Sequence, residues 1–403
     1  MGESSTPLAW AFVHLSPIPS SYHQHHLNIV DEEKASGSVK FRCERDVLVE
    51  ALGAAGRAVV SRGGALPVLA GVRAELTGDQ LRLTGSDLEL TIAVEVTVAG
   101  SSDGVAVLPS KISSDVVRSL QPGSVEVTVD GDEAHITSGR FQSEIRLLPA
   151  DEFPRLGVPA DEAVTLVAAD FAEALHQVVP AASADDARPI LTGVLMAAEG
   201  DGLRLVATDS YRLAVRDLPG TSVLREGQSV LVPSRALREL ERLLGGSAEV
   251  TLRLGEREAT FEVGGVRLTT RLIEGEFPNY RGLIPSSHPN RLTVGREALI
   301  DAVRRVKLLA REPNTPVRLA MTVDALELVA ITQDVGAAHE QLDVGYEGAE
   351  LTVAFNPEYL LNGVEVTPGD EISLDTVDAQ KPAVIRSSGG ADFLYLLMPV
   401  RVS

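Results

Sequence analysis

Apolar and polar positions alternate in a pattern that predicts the same order of elements twice in the first part of the chain. The first half comprises a strand at 39–43, a helix at 44–61 and strands at 72–76, 81–86 and 90–98. The second half comprises a strand at 105–108, a helix at 110–120 and strands at 125–129, 134–138 and 142–147. We therefore expect an α+β unit in which two helices pack on two antiparallel sheets of about four strands.

This unit occurs three times along the chain. Residues 67–71 (PVLAG) and 81–87 (LRLTGSD) return 122 residues later as 189–193 (PILTG) and 203–209 (LRLVATD). A more divergent copy extends over 316–334. The period is far longer than that of a solenoid, and each copy is large enough to have a core of its own. The repeat predicts three similar domains in tandem.

The repeats also set the expected boundaries. Residues 1–38 match no copy, are rich in Ser, Pro and His, and lack periodicity, so we expect a disordered N-terminal extension. The three domains are expected over 39–157, 163–286 and 290–403. His23, His25 and His26 lie in the extension, where a flexible tail is a simpler interpretation than a metal site.

Composition indicates the cellular compartment and bears on whether the chain could bind nucleic acid. The chain has 403 residues, of which 44% are hydrophobic and 23% charged, as in ordinary globular proteins. Its one cysteine, Cys43, forms no intrachain disulfide, and no apolar run is long enough to span a membrane, so we expect a cytoplasmic protein without membrane contact. The net charge of −21, taken alone, argues against binding nucleic acid.

The distribution of charge changes that interpretation. The six predicted helices cover 44–61, 111–120, 170–182, 234–244, 296–311 and 357–364. They contain 12 Lys or Arg and 11 Asp or Glu, whereas the rest of the chain is strongly acidic. Basic residues lie at helical spacing in three of them: Lys111 and Arg118; Arg235, Arg238 and Arg242; Arg304, Lys307 and Arg311. They are either solvated helix faces or, if the helices share one side, a basic surface for a phosphate backbone.

Catalytic signatures are absent from the sequence. It contains no phosphate-binding loop, no paired Cys motif, no zinc-protease motif and no nucleophile elbow. Asp87, Asp209 and Asp334 occupy the same position in three separate repeats, so they cannot converge on one substrate and are expected in turns or caps. We predict that the chain is not an enzyme and needs no cofactor or metal.

The last strand suggests a docking surface. Residues 393–400 (FLYLLMPV) form an apolar strand almost at the end of the chain. Ends of chains are usually at the surface, and exposed Met and aliphatic side chains favour an adaptable groove for peptides.

Three motifs resemble one known family. Residues 207–215 (ATDSYRLAV), 275–280 (GEFPNY) and 395–401 (YLLMPVR) are similar to the bacterial DNA sliding clamp, the beta subunit of DNA polymerase III. The likeness extends over 39–402. It implies a head-to-tail homodimer, in which each chain forms half of a closed ring of six domains with helices around the hole. Such a ring encircles double-stranded DNA without reading its sequence, and it has no catalytic activity.

The resemblance also implies partners and sites. The partners would be the polymerase catalytic subunit, the clamp loader and other replication and repair proteins with a clamp-binding motif. Carried over by position, the partner pocket would be lined by Leu191, Thr208, Ser210, Tyr211, Arg212, Leu213, Pro278, Leu283, Asn356, Tyr359, Leu396, Leu397, Met398, Pro399, Val400 and Arg401. The matching DNA-contact positions are Arg62, Arg188 and Arg235, and the matching subunit-interface positions are Phe141, Ser143, Leu308 and Leu309.

The sequence departs from the family at several of these places. Gly282 replaces a long basic side chain at the pocket, and Asn314 stands where an aromatic residue occurs. Asp185 is acidic on a loop expected to face DNA, and Ser143 stands where a Phe is expected, with Phe141 two residues earlier.

Two other functions stay open at this point. A repeat scaffold could bind peptides without DNA, in which case the basic helix faces would have no role in retention on DNA. A hydrolase would instead need clustered carboxylates in a deep pocket inside one domain.

Overall fold

The computed structural model describes residues 38–60, 66–157, 159–160, 162–310, 315–390 and 392–401. The extension predicted over 1–38 lies outside the described residues except for Ser38. Arg62, Arg311 and Asn314 are also outside them.

The described part of the first repeat contains two α-helices and nine strands. In chain order they are β1 (Lys40–Glu44), α1 (Arg45–Ala55), β2 (Gly71–Thr77), β3 (Gln80–Ser86), β4 (Leu90–Thr97), β5 (Ala99–Ser102), β6 (Gly104–Pro109), α2 (Ser110–Ser119), β7 (Ser124–Asp130), β8 (Glu133–Ser138) and β9 (Phe141–Arg146). The sequence predicted β4 to within one residue but did not predict β5. In the structure β5 follows β4 closely and joins a different sheet.

The second repeat follows the same order. Its elements are β10 (Ala163–Val167), α3 (Ala168–Val178), β11 (Gly193–Glu199), β12 (Gly202–Thr208), β13 (Arg212–Leu218), β14 (Ser229–Pro233), α4 (Ser234–Leu244), β15 (Glu249–Leu254), β16 (Glu258–Val263) and β17 (Val266–Arg271). Helix α3 is shorter than predicted because Pro180 cannot continue the backbone hydrogen-bond ladder, and a 3-10 turn, Val179–Ala181, follows it.

The third repeat ends the chain. Its elements are β18 (Asn290–Gly295), α5 (Arg296–Lys307), β19 (Val317–Met321), β20 (Ala325–Thr332), β21 (Gly336–Asp343), β22 (Gly345–Glu347), β23 (Leu351–Phe355), α6 (Pro357–Val366), β24 (Glu371–Thr376), β25 (Ala383–Ser387) and β26 (Phe393–Leu397). Asn356 caps α6, since its side chain accepts hydrogen bonds from the Glu358 and Tyr359 amides at 2.9 and 3.3 Å.

A glycine shared by two repeats has a steric cause. Gly71 and Gly193 end the PVLAG and PILTG motifs and begin β2 and β11. A Cβ atom at Gly71 would lie 2.5 Å from the Val107 side chain, and one at Gly193 would lie 2.8 Å from Leu231. These distances are too short for any side chain, so the neighbouring strands pack closely only with glycine there.

The described strands form four sheets, two of which cross between repeats. The strand orders are β5-β1-β7-β8-β9, β10-β15-β16-β17-β4-β3-β2-β6, β14-β11-β12-β13-β26-β25-β24-β18-β22 and β21-β20-β19-β23. Each repeat supplies two groups of about four strands, as the sequence predicts. The sequence did not predict that groups from neighbouring repeats join into continuous sheets.

The two joints between repeats use equivalent strands. At the first joint β17 pairs antiparallel with β4, for example Leu268 with Ile92. At the second joint β26 pairs antiparallel with β13, for example Leu396 with Leu213. In both cases the last strand of one repeat adds to the third strand of the first sheet group in the preceding repeat. The backbone groups of these four strands are therefore satisfied within the chain.

The helices pack in pairs, α1 with α2, α3 with α4 and α5 with α6, and contact the sheets from one face. Their apolar sides supply much of the core, as shown by buried Leu237, Leu240 and Leu244 on α4. The opposite side of α4 is free for charged residues.

Candidate functional site

Helix α4 displays the strongest basic face among the described elements. Arg235, Arg238 and Arg242 are all exposed, and their spacing of three and four residues places them on one side of the helix. Arg242 pairs with Glu239 at 2.6 Å, and Arg235 pairs with Asp87 of the first repeat. Among the residues that the structure describes, Arg238 makes no hydrogen bond or ion pair, so its full charge is available to a ligand.

The equivalent helix of the first repeat has a weaker version of this face. Aligning the helix starts places Lys111 of α2 at the position of Arg235 and Arg118 at that of Arg242. Both side chains are exposed, and Arg118 pairs with Asp115 at 3.4 Å, as Arg242 does with Glu239. The i, i+3 pair is thus repeated, and it leaves most of each guanidinium exposed to solvent.

The third repeat reverses the charges. The same alignment places Glu358 and Glu365 of α6 at the positions of Arg235 and Arg242. Lys307 and Arg304 on the neighbouring helix α5 pair with them, at 2.5 Å for Lys307–Glu358 and 2.7 Å for Arg304–Glu365. Of the predicted basic stripe, Arg304 and Lys307 lie on α5 and are neutralised by these carboxylates, whereas Arg311 lies outside the described residues. Sequence spacing on α5 alone could not have shown this.

Arg188 lies on the loop that precedes β11, a strand that contacts α4. Its guanidinium pairs with Asp185 at 3.1 Å and reaches the Ser210 hydroxyl at 3.3 Å. A hydrogen bond from the Ala187 amide and the Arg188 side chain together hold the pKa of Asp185 below its usual range. The acidic residue on this loop therefore acts as a partner of Arg188 and reduces its net charge.

A cleft of about 490 Å³ lies between the second and third repeats. Its lining includes Arg188, Asp209, Tyr211, Arg212, Arg238 and Tyr359. The cleft joins the basic face of α4 to residues predicted for the partner pocket. The rings of Tyr211 and Tyr359 stack at a centroid distance of 6.3 Å and form one aromatic wall.

Arg212 is the best-connected residue of this cleft. Its side chain is only 11% exposed, and it donates to Asp209 at 3.0 Å and to the Asn362 side chain at 2.5 Å. The guanidinium carbon lies 4.4 Å from the centre of the Tyr359 ring. Because Asn362 and Tyr359 belong to α6, this arginine of the second repeat is bound to the third repeat through two of these contacts.

A tight turn presents Tyr211 at the mouth of the cleft. The Asp209 carboxylate accepts hydrogen bonds from the Tyr211 and Arg212 amides at 2.9 and 3.0 Å, which holds Ser210 at a φ of +82°. In the first repeat Asp87 accepts equivalent bonds from the amides of the second and third residues that follow it, with Leu88 at a φ of +76°. The turn role expected for the repeated aspartates is therefore observed for these two.

An apolar floor lies beside the cleft, on the other face of the nine-stranded sheet. Buried Val206, Leu213 and Val215 of the second repeat contact Val384, Leu394 and Leu396 of the third. Phe277, Tyr280 and Ile284, from the segment that connects the repeats, pack against this floor. Pro278 and Leu283 of the same segment are exposed at its surface.

The chain end borders the same region. The Met398 amide donates to the Tyr211 carbonyl at 2.8 Å, and the Val400 amide donates to the Ala354 carbonyl at 2.7 Å. Met398 and Arg401 are exposed, whereas Pro399 and Val400 are partly buried. The structure thus brings the predicted motifs around 211, 278 and 398 together at one seam between repeats.

The predicted pocket residues differ in accessibility. Tyr211 at 58% and Leu283 at 50% are the most exposed of the large apolar or aromatic side chains in the set. Leu191, Thr208, Leu213 and Leu396 are buried and can form only the floor. Leu397 is fully buried towards the helices, so it supports its neighbours without reaching a ligand.

Each of the four sheets has two edge strands within the described chain, and two of these edge strands match strands that pair across repeats elsewhere. They are β9, at the edge of the five-stranded sheet and equivalent to β17 and β26, and β21, at the edge of the four-stranded sheet and equivalent to β4 and β13. Phe141 on β9 is 41% exposed and shares a face with Ser143 and Ile145. Beside β21, Leu308 is 68% exposed, and Leu309 packs against the core. The predicted interface residues therefore lie on β9 of the five-stranded sheet and beside β21 of the four-stranded sheet.

Sequence reasoning missed the residues that connect the repeats. Asn362 and Asp87 lie 150 and 148 positions from the arginines that they bind. The repeat could have pointed to Asp87, since Asp209 occupies the same turn, but Asn362 has no motif. No group of residues suited to hold a metal ion is found among the described residues, and no described helix could cross a membrane.

Comparison with known proteins agrees with this arrangement. Three family models match the sequence, the DNA polymerase III beta subunit N-terminal domain over 39–157, its central domain over 165–279 and its C-terminal domain over 281–401. The chain belongs to the family of the DNA polymerase III beta subunit. The resemblance seen in the sequence is confirmed.

Relatives and solved structures of this family cover nearly all of the chain. The beta sliding clamp of Streptomyces coelicolor is 35% identical over 377 residues, which is 91% of this chain and 100% of that protein. The sliding clamp of Bacillus subtilis has a TM-score of 0.84 and 30% identity, covering 91% of this chain and 100% of its own. A sliding clamp of Bartonella birtlesii bound to griselimycin has a TM-score of 0.86 and 31% identity, with the same coverage.

Membership decides between the classes of function that the sequence left open. Sliding clamps are processivity factors without enzymatic activity, so the prediction that the chain is not an enzyme is confirmed. The clamps of this family are homodimeric rings that bind DNA, the polymerase and proteins with a clamp-binding motif.

Proposed function

We propose that two copies of this chain close head to tail into a ring around double-stranded DNA and tether DNA polymerase III to it. A ring holds its partner by topology, so contacts with DNA can be weak enough to permit sliding. The tether raises the effective concentration of polymerase at the primer end. Domains over 39–157, 163–286 and 290–403 would give six domains per ring, acting in the cytoplasm where the chromosome lies.

The main support for the ring is that the edge strands β9 and β21 are equivalent to the strands that pair between repeats within the chain. Strands β17 and β26 are the last strands of their repeats and pair with β4 and β13 of the preceding repeats. By the same rule, β9 of one chain would pair with β21 of the other, since both expose unpaired backbone groups. Two such joints would close a symmetric dimer and leave neither edge open.

Side chains near these edges support the same closure. Phe141 and Leu308 are exposed apolar groups that a joint would bury. Ser143 stands at the position of Leu268, which is buried at the first joint, so Phe141 and Ile145 would supply the apolar contact instead. The Arg235–Asp87 pair also has a counterpart, because Lys111 would face Asp334 of the partner subunit, which is exposed here.

Contact with DNA would come chiefly from α4. Its three exposed arginines form a basic face on a protein of net charge −21, so attraction is local and the outer surface repels other DNA. Arg188 and Arg118 would add weaker contacts. Arg62 and Arg311 are proposed only from the sequence.

This proposal is tested by retention on circular DNA. Changing Arg235, Arg238 and Arg242 to Glu should reduce the fraction of loaded protein that stays on a nicked circle, because the face would then repel phosphates. Binding of a peptide with the clamp-binding motif should be unchanged. Normal retention of the triple variant would favour the alternative, a scaffold that binds peptides without DNA.

The partner pocket would combine the apolar floor with the aromatic and basic cleft. Leu213 and Leu396 would receive apolar side chains of the motif, and Tyr211, Arg212 and Met398 would orient it. Deleting residues 398–403 should abolish binding of a polymerase-derived peptide while the dimer persists, as measured by fluorescence anisotropy and gel filtration. Full affinity after this deletion would place the pocket elsewhere.

A further inference from the structure

The segment between β17 and β18 forms one wall of the proposed pocket. Phe277 and Tyr280 meet edge to face at 6.3 Å and pack on the apolar floor with Ile284. Between them, Pro278 and Leu283 remain exposed. This segment, which we call the connector (272–289), has only the short 3-10 turn Arg281–Leu283 as regular structure. The Leu272 and Ile273 amides anchor its start by donating to the Arg257 and Leu231 carbonyls at 2.8 and 2.9 Å, so the part that carries Pro278 and Leu283 depends on side-chain contacts.

Arg281 binds the connector to the second repeat. Its guanidinium donates to both carboxylate oxygens of Glu199, at 2.6 and 3.3 Å, and lies 5.7 Å from the centre of the Tyr280 ring. Hydrogen bonding from Arg281 is the main cause that lowers the pKa of Glu199. The pair links the connector to the end of β11.

Glu199 is itself held by a second arginine. Arg204 contacts Glu199 at 2.9 Å and binds Asp217 through two hydrogen bonds of 2.6 and 2.8 Å. A series of ion pairs, Asp217–Arg204–Glu199–Arg281, therefore extends from the middle of the sheet to the connector. Since Arg204 and Asp217 lie opposite each other on the paired strands β12 and β13, the end of this series that is remote from the connector is rigid.

The first repeat provides an internal comparison. Arg82 and Glu95 occupy the positions of Arg204 and Asp217, and they also pair, at 2.5 Å. The position of Glu199, however, is Thr77 in the first repeat, so the carboxylate that reaches the connector is present only at the seam with the proposed pocket. The ion pair is therefore a feature of this seam and not of the repeated fold.

We propose that Glu199 and Arg281 are positioning residues for the partner pocket, whose ion pair holds Pro278 and Leu283 in place as its wall. Neither residue needs to touch the partner. The next residue, Gly282, has no side chain, and a Cβ there would meet nothing within 4 Å, so it adds no contact that could hold the wall. The inference rests on the proposed partner pocket and names what keeps its wall ordered before a partner binds.

The test measures the affinity of the full-length protein for a labelled synthetic peptide with the clamp-binding motif of its polymerase. Glu199→Gln and Arg281→Gln should each weaken binding about fivefold, because the wall must then be ordered on binding. The double variant should be no weaker than either single one, since both remove the same pair. Arg281→Lys should recover most of the affinity.

The matched control is Glu95→Gln, which removes the first-repeat carboxylate at the position of Asp217 and should leave peptide affinity unchanged. Native affinity in both Gln variants would overturn the inference while leaving the pocket proposal intact. Additive losses in the double variant would also overturn it. If the unaltered protein does not bind the peptide, the pocket proposal fails, and this inference fails with it.

Discussion

At the scale of single residues, Arg212 connects the second repeat to the third and also lines the cleft between them. It is nearly buried, yet its charge is matched by the Asp209 carboxylate, the Asn362 side-chain oxygen Oδ1 and the Tyr359 ring. A buried cation is tolerated only with such partners, because desolvation is otherwise costly. Tyr395, whose pKa is raised by burial, donates to the Tyr359 carbonyl at 3.0 Å and supports the same corner.

Replacing Arg212 by Ala should therefore destabilise the protein and remove the guanidinium that lines one side of the proposed pocket. We expect a loss of about 3 kcal/mol, the size typical when one partner of a buried ion pair is removed. The measurement is urea denaturation followed by circular dichroism. Arg82→Ala removes an exposed pair and should cost less than about 1 kcal/mol. A stability of Arg212→Ala equal to that of Arg82→Ala would contradict this account of the residue.

Individual residues were predictable where the repeat or a local rule defines them. The turn role of Asp87 and Asp209 followed from their place after a strand, because a carboxylate there can accept the next amides. The partner of Arg212 on α6 did not follow, since Asn362 is 150 residues away and only the tertiary fold brings the two together. The Glu199–Arg281 pair was missed for the same reason.

At the scale of elements, the helices show how one position can change sign between repeats. Lys111 and Arg235 become Glu358 in the third repeat, and Arg118 and Arg242 become Glu365. Lys307 and Arg304 from α5 neutralise both carboxylates. In the proposed ring, the third repeat would therefore offer DNA a nearly neutral sector beside the basic sector of α4.

Removing these carboxylates should strengthen DNA binding. In the double variant Glu358→Gln and Glu365→Gln, Lys307 and Arg304 are free to meet phosphates. The slope of log affinity against log salt should steepen by up to about 0.9 for each cation that gains a contact. Fluorescence anisotropy with duplex DNA over a salt series gives this slope. Glu327→Gln, on the opposite face of the third repeat, is the control, and an unchanged slope in the double variant would contradict the role assigned to α5 and α6.

Element order was predictable to within a few residues because period-two and helical patterns are local signals. Element ends were less so. The helix predicted over 170–182 stops at Val178, because Pro180 ends the hydrogen-bond ladder, and the short strand Ala99–Ser102, which pairs with β1, was not predicted. Which strands pair across repeats was not predictable, since cross-strand partners are set by tertiary contacts.

At the scale of the whole molecule, the repeat explains both the continuity of the sheets and the position of two of their edge strands. Each internal joint pairs the last strand of one repeat with the third strand of the preceding repeat, and among the described strands in these positions β9 and β21 have no partner in the chain. The sequence predicted three domains from its period, and the family implied a ring. The structure adds the specific strands, and the exposed Phe141 and Leu308, that would close it.

The most direct test of this account is the mass of the protein in solution by sedimentation equilibrium. We expect about twice the 42.7 kDa of the chain, at low and high salt alike, because the closing contacts are backbone pairing and apolar burial. Phe141→Asp should shift the mass towards that of one chain, whereas Val167→Asp, a more exposed apolar position on neither β9 nor β21, should not. A monomeric native protein, or a dimer that Phe141→Asp leaves intact, would contradict closure through β9 and β21.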